Sequence, residues 1–386
     1  MSLPIVMLPG MMGTRLHFPN ADRYWDPDSV RRMAPWLFAT AIGSGGKVAR
    51  QMHRDEPAEV VADANDIRGD ERDFGWEGVV ASFYVGFLRG LRAARGDTVS
   101  AVGYDWRQDI TLLGRVVAGQ IREHAGAGEV ILVTHSMGGL VARAALAQDA
   151  DLAARVRAVV HVCQPVLGAV LFYRRCFTGA VRGLDGGIRD LPFRLLAGDS
   201  PAEFVRHVCG LPGAMQLLPA PEYRASGGAN WNAPFGAQFQ ARPGALYQFA
   251  TRPPGLSDPR ADPFVLSNLP ARLAEVGAYH AHAPAFRFDR ERTWAVFGDA
   301  LDTDDDIAFN GPKIDLARLK AKAGDGVVPR TSGAALFPDV VADWDPNAPP
   351  GPPPRQWRMA GLEHAGAMLD PRVLPAVLRV VEHMDP

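Results

Sequence analysis

The chain has 386 residues, 47% hydrophobic and 22% charged, the composition of a soluble globular protein with a sizeable core. Its formal net charge of -2, with Lys47, Lys313, Lys320 and Lys322 as the only lysines, leaves no basic run for nucleic acid to read. No uninterrupted apolar run approaches bilayer length and no basic region precedes the first one, so a cytoplasmic protein is expected, and positive charge that is almost all arginine suggests a GC-rich, bacterial genome.

Pro4 to Leu8 predicts a buried strand that runs into Pro9-Gly10-Met11-Met12-Gly13-Thr14. Glycines just past a strand end let backbone N–H groups turn towards a ligand, and the Met11 N–H is the candidate oxyanion donor of this loop. From Arg15 to Gly75 no period holds, a length that suits a cap better than a connecting loop. Within it Gly43-Ser44-Gly45-Gly46-Lys47 imitates a phosphate loop, but Ala41 and Val48 stand where that motif needs Gly and Ser or Thr. Val79 to Arg95 reads as an amphipathic helix, Val99 to Trp106 as a strand and Ile110 to Ala125 as a helix. Val130 to Val133 is the next strand, Leu140 to Leu146 lies on a helix, and Val156 to Cys163 is a further strand. Strands alternating with helices in this way predict a mostly parallel, doubly wound sheet.

After Pro165 the alternation stops until about Arg292, with a short helix expected over Asn268 to Tyr279. So much apolar residue suits a cap over an active site. Val166 to Leu184 carries Arg174, Arg175 and Arg182, either on the cap's solvent face or for transient contact with a membrane surface. Thr293 to Phe297 is a strand. Asp302, Asp304, Asp305 and Asp306 follow, but Ile307 replaces the glycine a calcium loop needs, so a solvated turn is expected. Residues 345–354 form a proline-rich surface loop, Gln356 to Leu362 the last strand, and Asp370-Pro371 the N-cap and first turn of a final helix, inside which Pro375 is irregular. Cys163, Cys176 and Cys209 lack metal-ligand spacing, so reduced thiols are expected, a Cys176 to Cys209 bridge being left open. No metal or cofactor is expected.

The chemistry gathers at Thr134-His135-Ser136-Met137-Gly138, between a strand and a helix. A hydroxyl on such a tight turn is exposed to a base, and the N–H of the next residue, Met137, faces charge developing there. Thr134 stands where the usual Gly-x-Ser-x-Gly motif has its first glycine. A serine needs a base and the base an orienting acid, in the chain order Ser, acid, His. His364, between the last strand and the last helix, is the expected base; His135 points away from the turn. Asp325, held between Gly324 and Gly326, is the preferred acid, with Asp299 behind the Thr293 strand as the alternative.

PIVMLPGMMGT, Tyr104 to Arg107 (YDWR), THSMGG, Leu211 to Pro219 (LPGAMQLLP), GDGVVP and the late His364 occur in an order that resembles the lecithin:cholesterol acyltransferase family, with lysosomal phospholipase A2 and phospholipid:diacylglycerol acyltransferase. The resemblance implies an α/β-hydrolase core (1–14, 76–166 and 291–386) with cap insertions (15–75 and 167–290). It implies Ser136, Asp325 and His364 as a triad, with Met11 and Met137 as oxyanion donors. The implied partners are a lipid-like ester and water or an alcohol acyl acceptor. Thr134 and the Gln164 to Gly168 turn depart from the family pattern, and no signal peptide is evident. An esterase or lactonase for a hydrophobic small molecule, or a catalytically silent binding module on the same fold, are the other expectations.

Overall fold

The computed structural model describes residues 2–41, 51–64, 66–96, 99–178, 201–223, 263–283, 289–305, 309–310, 313–314, 320–349 and 351–385. Seven strands make the central sheet: β1 (Ile5–Leu8), β2 (Val99–Ala101), β3 (Val130–His135), β4 (Val156–Val162), β5 (Thr293–Asp299), β6 (Ala342–Asp343) and β7 (Gln356–Ala360). Their spatial order is β6-β7-β5-β4-β3-β1-β2, and every pairing is parallel. The principal helices are α1 (Ala81–Arg95), α2 (Ile110–Ala125), α3 (Met137–Gln148), α4 (Val170–Thr178), α5 (Pro263–His282) and α6 (Val373–Met384).

The central strands are unbroken apolar runs because both faces of a parallel sheet are covered. Val6, Leu8, Val130 and Leu132 join the core that contains α2 and α3, while Ile5, Met7, Ile131 and Val133 join the one that contains α1 and α6. At the N-terminus of α2 the Asp109 carboxylate accepts the Leu112 N–H at 3.0 Å, a cap of the ordinary kind.

β2 is shorter than its sequence suggests. It leaves the ladder after Ala101, and the next apolar residues serve the loop after β1 instead: the Tyr104 hydroxyl donates to the Pro9 carbonyl at 2.5 Å and the Trp106 indole to that of Thr14 at 3.3 Å. Both side chains are buried, so hydropathy alone extends the strand through them. The start of α6 differs as well. Asp370 does not cap it but accepts the Arg372 N–H at 2.9 Å in the turn before. Pro375 falls in the first turn of α6, where its missing N–H has no intrahelical acceptor to lose.

The described residues of 15–75 are more ordered than the missing period suggests. Leu16–Phe18 pairs antiparallel with Arg23–Trp25 and with Glu59–Val60, and a helix covers Val30–Ala41. Arg15, fully buried, joins this layer through Asp26 (3.1 Å), Asp28 (2.6 Å) and Asp66 (2.5 Å). The Gly43 to Lys47 stretch lies outside the described residues.

Two expectations for the chain beyond Pro165 are corrected. Arg174 is paired with Asp304 at 2.9 Å and Arg175 is buried, so neither lines a solvent face; Arg182 lies outside the described residues. Asp302–Asp304 is a strand paired with Lys320–Lys322, not a solvated turn. Asp304 and Asp305 are buried there, and Asp305 accepts the Tyr223 hydroxyl at 2.7 Å; Asp306 and Ile307 are not among the described residues. The side chain of Cys176 is likewise outside the described set, and with it the question of its pairing. No described helix is long and apolar enough to cross a membrane.

Candidate active site

Ser136 sits between β3 and α3 with φ 52° and ψ −126°. An L-residue in the left-handed half of conformational space is strained, and here the surroundings hold it. Its N–H donates to the Val162 carbonyl at 2.9 Å and its own carbonyl accepts from Gly139 at 3.0 Å. The chain can turn this tightly because a Cβ on Gly138 would lie 2.4 Å from the Pro9 carbonyl oxygen. Gly10 is needed for the same reason, since its Cβ would stand 2.9 Å from that of Ser136. The loop after β1 thus lies directly against the serine, which is how Met11 comes to line the same cavity. Met137 is the first residue of α3. Neither the Met11 nor the Met137 N–H has an acceptor among the described residues, and the helix N-terminus adds positive potential beside Ser136.

Thr134, the departure from the usual motif, is paired in register with His161, and its hydroxyl lies 2.7 Å from His161 Nδ1. The hydroxyl that would be costly at a buried position is therefore satisfied across the sheet. Burial, with Arg143 as a second cause, pushes His161 down to about 3, so the ring is neutral.

His364 Nε2 lies 2.8 Å from Ser136 Oγ, and His364 Nδ1 lies 2.8 Å from Asp325 Oδ2. The His364 amide also donates to the Asp325 carbonyl at 2.9 Å. The other carboxylate oxygen of Asp325 accepts from the amides of Val327 (3.0 Å) and Val328 (2.6 Å), so the Gly324 to Val328 turn fixes the acid from its own backbone. Asp325 is 2% exposed and Ser136 6% exposed, which keeps this line of hydrogen bonds largely out of water. Asp299, the alternative acid, ends β5 beside Arg330 (3.6 Å) and Arg358 (3.7 Å), away from His364.

His135 is not a base here but a strut, a role the sequence did not disclose. Its Nε2–H donates to the His364 carbonyl at 3.0 Å, and its Nδ1 accepts the Tyr84 hydroxyl at 3.0 Å. That hydroxyl in turn accepts the Gly10 N–H at 2.9 Å. Burial holds His135 down at about 3, which keeps it neutral and preserves this pattern of donors and acceptors. One further side chain converges on the set: Cys163 Sγ, an Asp325 oxygen and a His364 nitrogen lie within 4.8 Å of one another. Burial, then the Asp325 charge, push the thiol well above its ordinary range, which favours its protonated form.

Ser136 and His364 open onto a cavity of about 250 Å³ whose walls include Met12, Trp25, Phe83, Leu171, Phe172 and Leu217. Arg175 and Glu363 are charged wall residues besides Asp325. A larger, more open cavity of about 620 Å³ lies at Asp299, Trp344 and Arg358 and touches none of Ser136, Asp325 and His364. We assign the site by convergent polar groups, not by volume.

A parallel sheet in this strand order, with a serine on the turn out of a central strand and a histidine beyond a later one, is the α/β-hydrolase fold. Residues 101–248 match the family model described as alpha/beta hydrolase fold, a segment that includes Ser136 but ends before Asp325 and His364. A chain in the crystal structure of the Tle4-Tli4 complex is 19% identical, with 99% of this chain and 98% of that one covered and a TM-score of 0.68. The mature lipase BlEst2 of Bacillus licheniformis is 11% identical over 98% of this chain and 92% of its own, with a TM-score of 0.36. No curated protein matches the chain.

Proposed function

We propose that the protein is a serine ester hydrolase or acyltransferase that carries the acyl group of a lipid-like carboxylic ester on Ser136. The observation that carries this reading is the unbroken line from Ser136 Oγ through His364 to Asp325, each step 2.8 Å, at the foot of an apolar cavity. His364 Nε2 takes the hydroxyl proton as Oγ attacks the ester carbonyl carbon. The N–H groups of Met11 and Met137 receive the resulting oxyanion, and His364 returns the proton to the leaving alcohol. Water or an acceptor alcohol then attacks the acyl-enzyme by the same steps in reverse. Asp325 holds the imidazole tautomer and its positive charge. On this reading the described parts of segments 15–75 and 167–290 belong to the cap, and the motif order that resembles the lecithin:cholesterol acyltransferase family supports a lipid-like substrate.

The test is labelling of the native protein with a fluorophosphonate, followed by peptide mapping. Adduct on Ser136, absent in Ser136→Ala, is expected together with loss of at least about 10³-fold in turnover of short acyl esters. A folded protein that takes no label at Ser136 would favour a silent binding module. One observation keeps a second enzyme reading in play. A cavity of about 250 Å³ lies below the roughly 300–1,000 Å³ usual for small-molecule sites and suits a compact hydrophobic ester or lactone. A p-nitrophenyl ester series separates the two readings: rising kcat/KM with chain length supports the lipid, a fall beyond short acyl groups the small molecule.

A further inference from the structure

The group in which His364 and Asp325 meet contains one side chain that the mechanism above leaves unused. Cys163 immediately follows β4, is fully buried and has φ 52°, a backbone conformation that costs energy outside glycine and gathers at functional sites. Its N–H donates to the Val296 carbonyl at 2.8 Å, so the residue is pinned to β5 where that strand approaches the acid turn. The sulfur lies within 4.8 Å of both an Asp325 oxygen and a His364 nitrogen. Asp325 already receives the Val327 and Val328 amides on one oxygen and His364 on the other.

We propose that Cys163 is a positioning residue for the Ser136–His364–Asp325 line, its S–H donating to the Asp325 carboxylate, fixing the face the acid presents to His364 and moderating its negative charge. The inference rests on the reading of that line as the reacting groups. Because burial and the Asp325 charge keep the thiol protonated, Cys163 acts as a donor and not as a second nucleophile. Among the described residues, the other charged or titratable groups around the set are neutral His135, Asp370, whose charge also acts on Cys163, and Glu363 and Arg175 at the cavity; all of them are retained in a substitution at Cys163.

Removing the donor leaves Asp325 a stronger acceptor, which favours the imidazolium form of His364. In Cys163→Ala the acidic limb of kcat/KM for a p-nitrophenyl ester therefore moves to higher pH by roughly half a unit to one unit, and the titration of the His364 ring followed by ¹³C NMR moves with it. Cys163→Ser keeps a donor and returns both to their wild-type positions. A role in packing alone would lower turnover or Tm in both variants with the limb and the NMR titration unmoved, and that result overturns the proposal. Should Cys163→Ala fail to fold, the wild-type chain still decides. The infrared S–H stretching band that Cys163→Ser removes should lie below the frequency of a free thiol and shift in Asp325→Asn; a free-thiol frequency overturns the inference. Absence of fluorophosphonate adduct on wild-type Ser136 would sink the proposed function, while the NMR and infrared readings would still judge Cys163.

Discussion

A single hydroxyl, that of Tyr84, joins three chain segments: it accepts from Gly10 beside the serine and donates to His135, which in turn holds the backbone of His364. Tyr84→Phe leaves a buried N–H and a buried ring nitrogen without partners, each costing about 1–3 kcal/mol. We expect a loss of roughly 2–4 kcal/mol in urea unfolding, with a fall in kcat and little change in KM, because the substitution disturbs the bearing of His364 and not the cavity's apolar walls. That Ser136, His364 and Asp325 would meet was legible in the sequence because each carries a local mark: a glycine-rich turn after a strand, a histidine after the last strand, an aspartate between glycines. Tyr84 and His135 were not, since their partners are 51 and 229 positions away and a tyrosine on a buried helix face looks like any other core residue.

At the scale of elements, α1 shows how the layer over the sheet is fastened. The residue before it, Val80, makes no side-chain cap; Asp28 instead reaches in from another segment to accept the amides of Ala81 (2.6 Å) and Ser82 (3.2 Å) while holding Arg15. Asp28→Ala removes the cap and unbalances a buried cation, an expected cost of about 2–4 kcal/mol in urea unfolding. Asp28→Asn keeps the acceptor oxygen and loses only the charge, so it should cost distinctly less. None of this could be read from the chain alone, where Asp28 is one aspartate in an aperiodic stretch. The short antiparallel strands around it, of two or three residues each, are too brief to show an alternating pattern. The long helices and central strands were legible because burial on one or both faces writes a period over many residues. β2 marks the limit of that reading, because Tyr104 and Trp106 are as buried as strand residues while serving the site loop.

For the molecule as a whole, its buried histidines set a response to acid. Burial pushes His135 and His161 down to about 3 and His207 and His280 to about 4, against an ordinary 6.5. Their folded values lie below the unfolded ones, so between these values the unfolded chain binds more protons and stability rises with pH. The contribution is complete above about 6.5 and is lost as pH falls towards 3 to 4. Urea unfolding followed from pH 7 to 4.5 should show this decline, and calorimetry at pH 5 should detect proton uptake on unfolding. A flat profile over that interval would mean that these rings are charged or solvated in the folded state.

Ser136 and His364 meet across 228 positions of chain. A ribosome that has made the whole elbow, its helix and the strands on either side has therefore produced no base for the serine. With Ser136 as the proposed nucleophile, the serine lacks its base through most of synthesis and gains it only once β7, which pairs with β5, and the His364 that follows it have been made. On the proposed reading, topology acts as a timer: a lipid-cleaving centre does not exist in the nascent chain while its greasy segments are still uncovered, and completion of the sheet is the event that arms it.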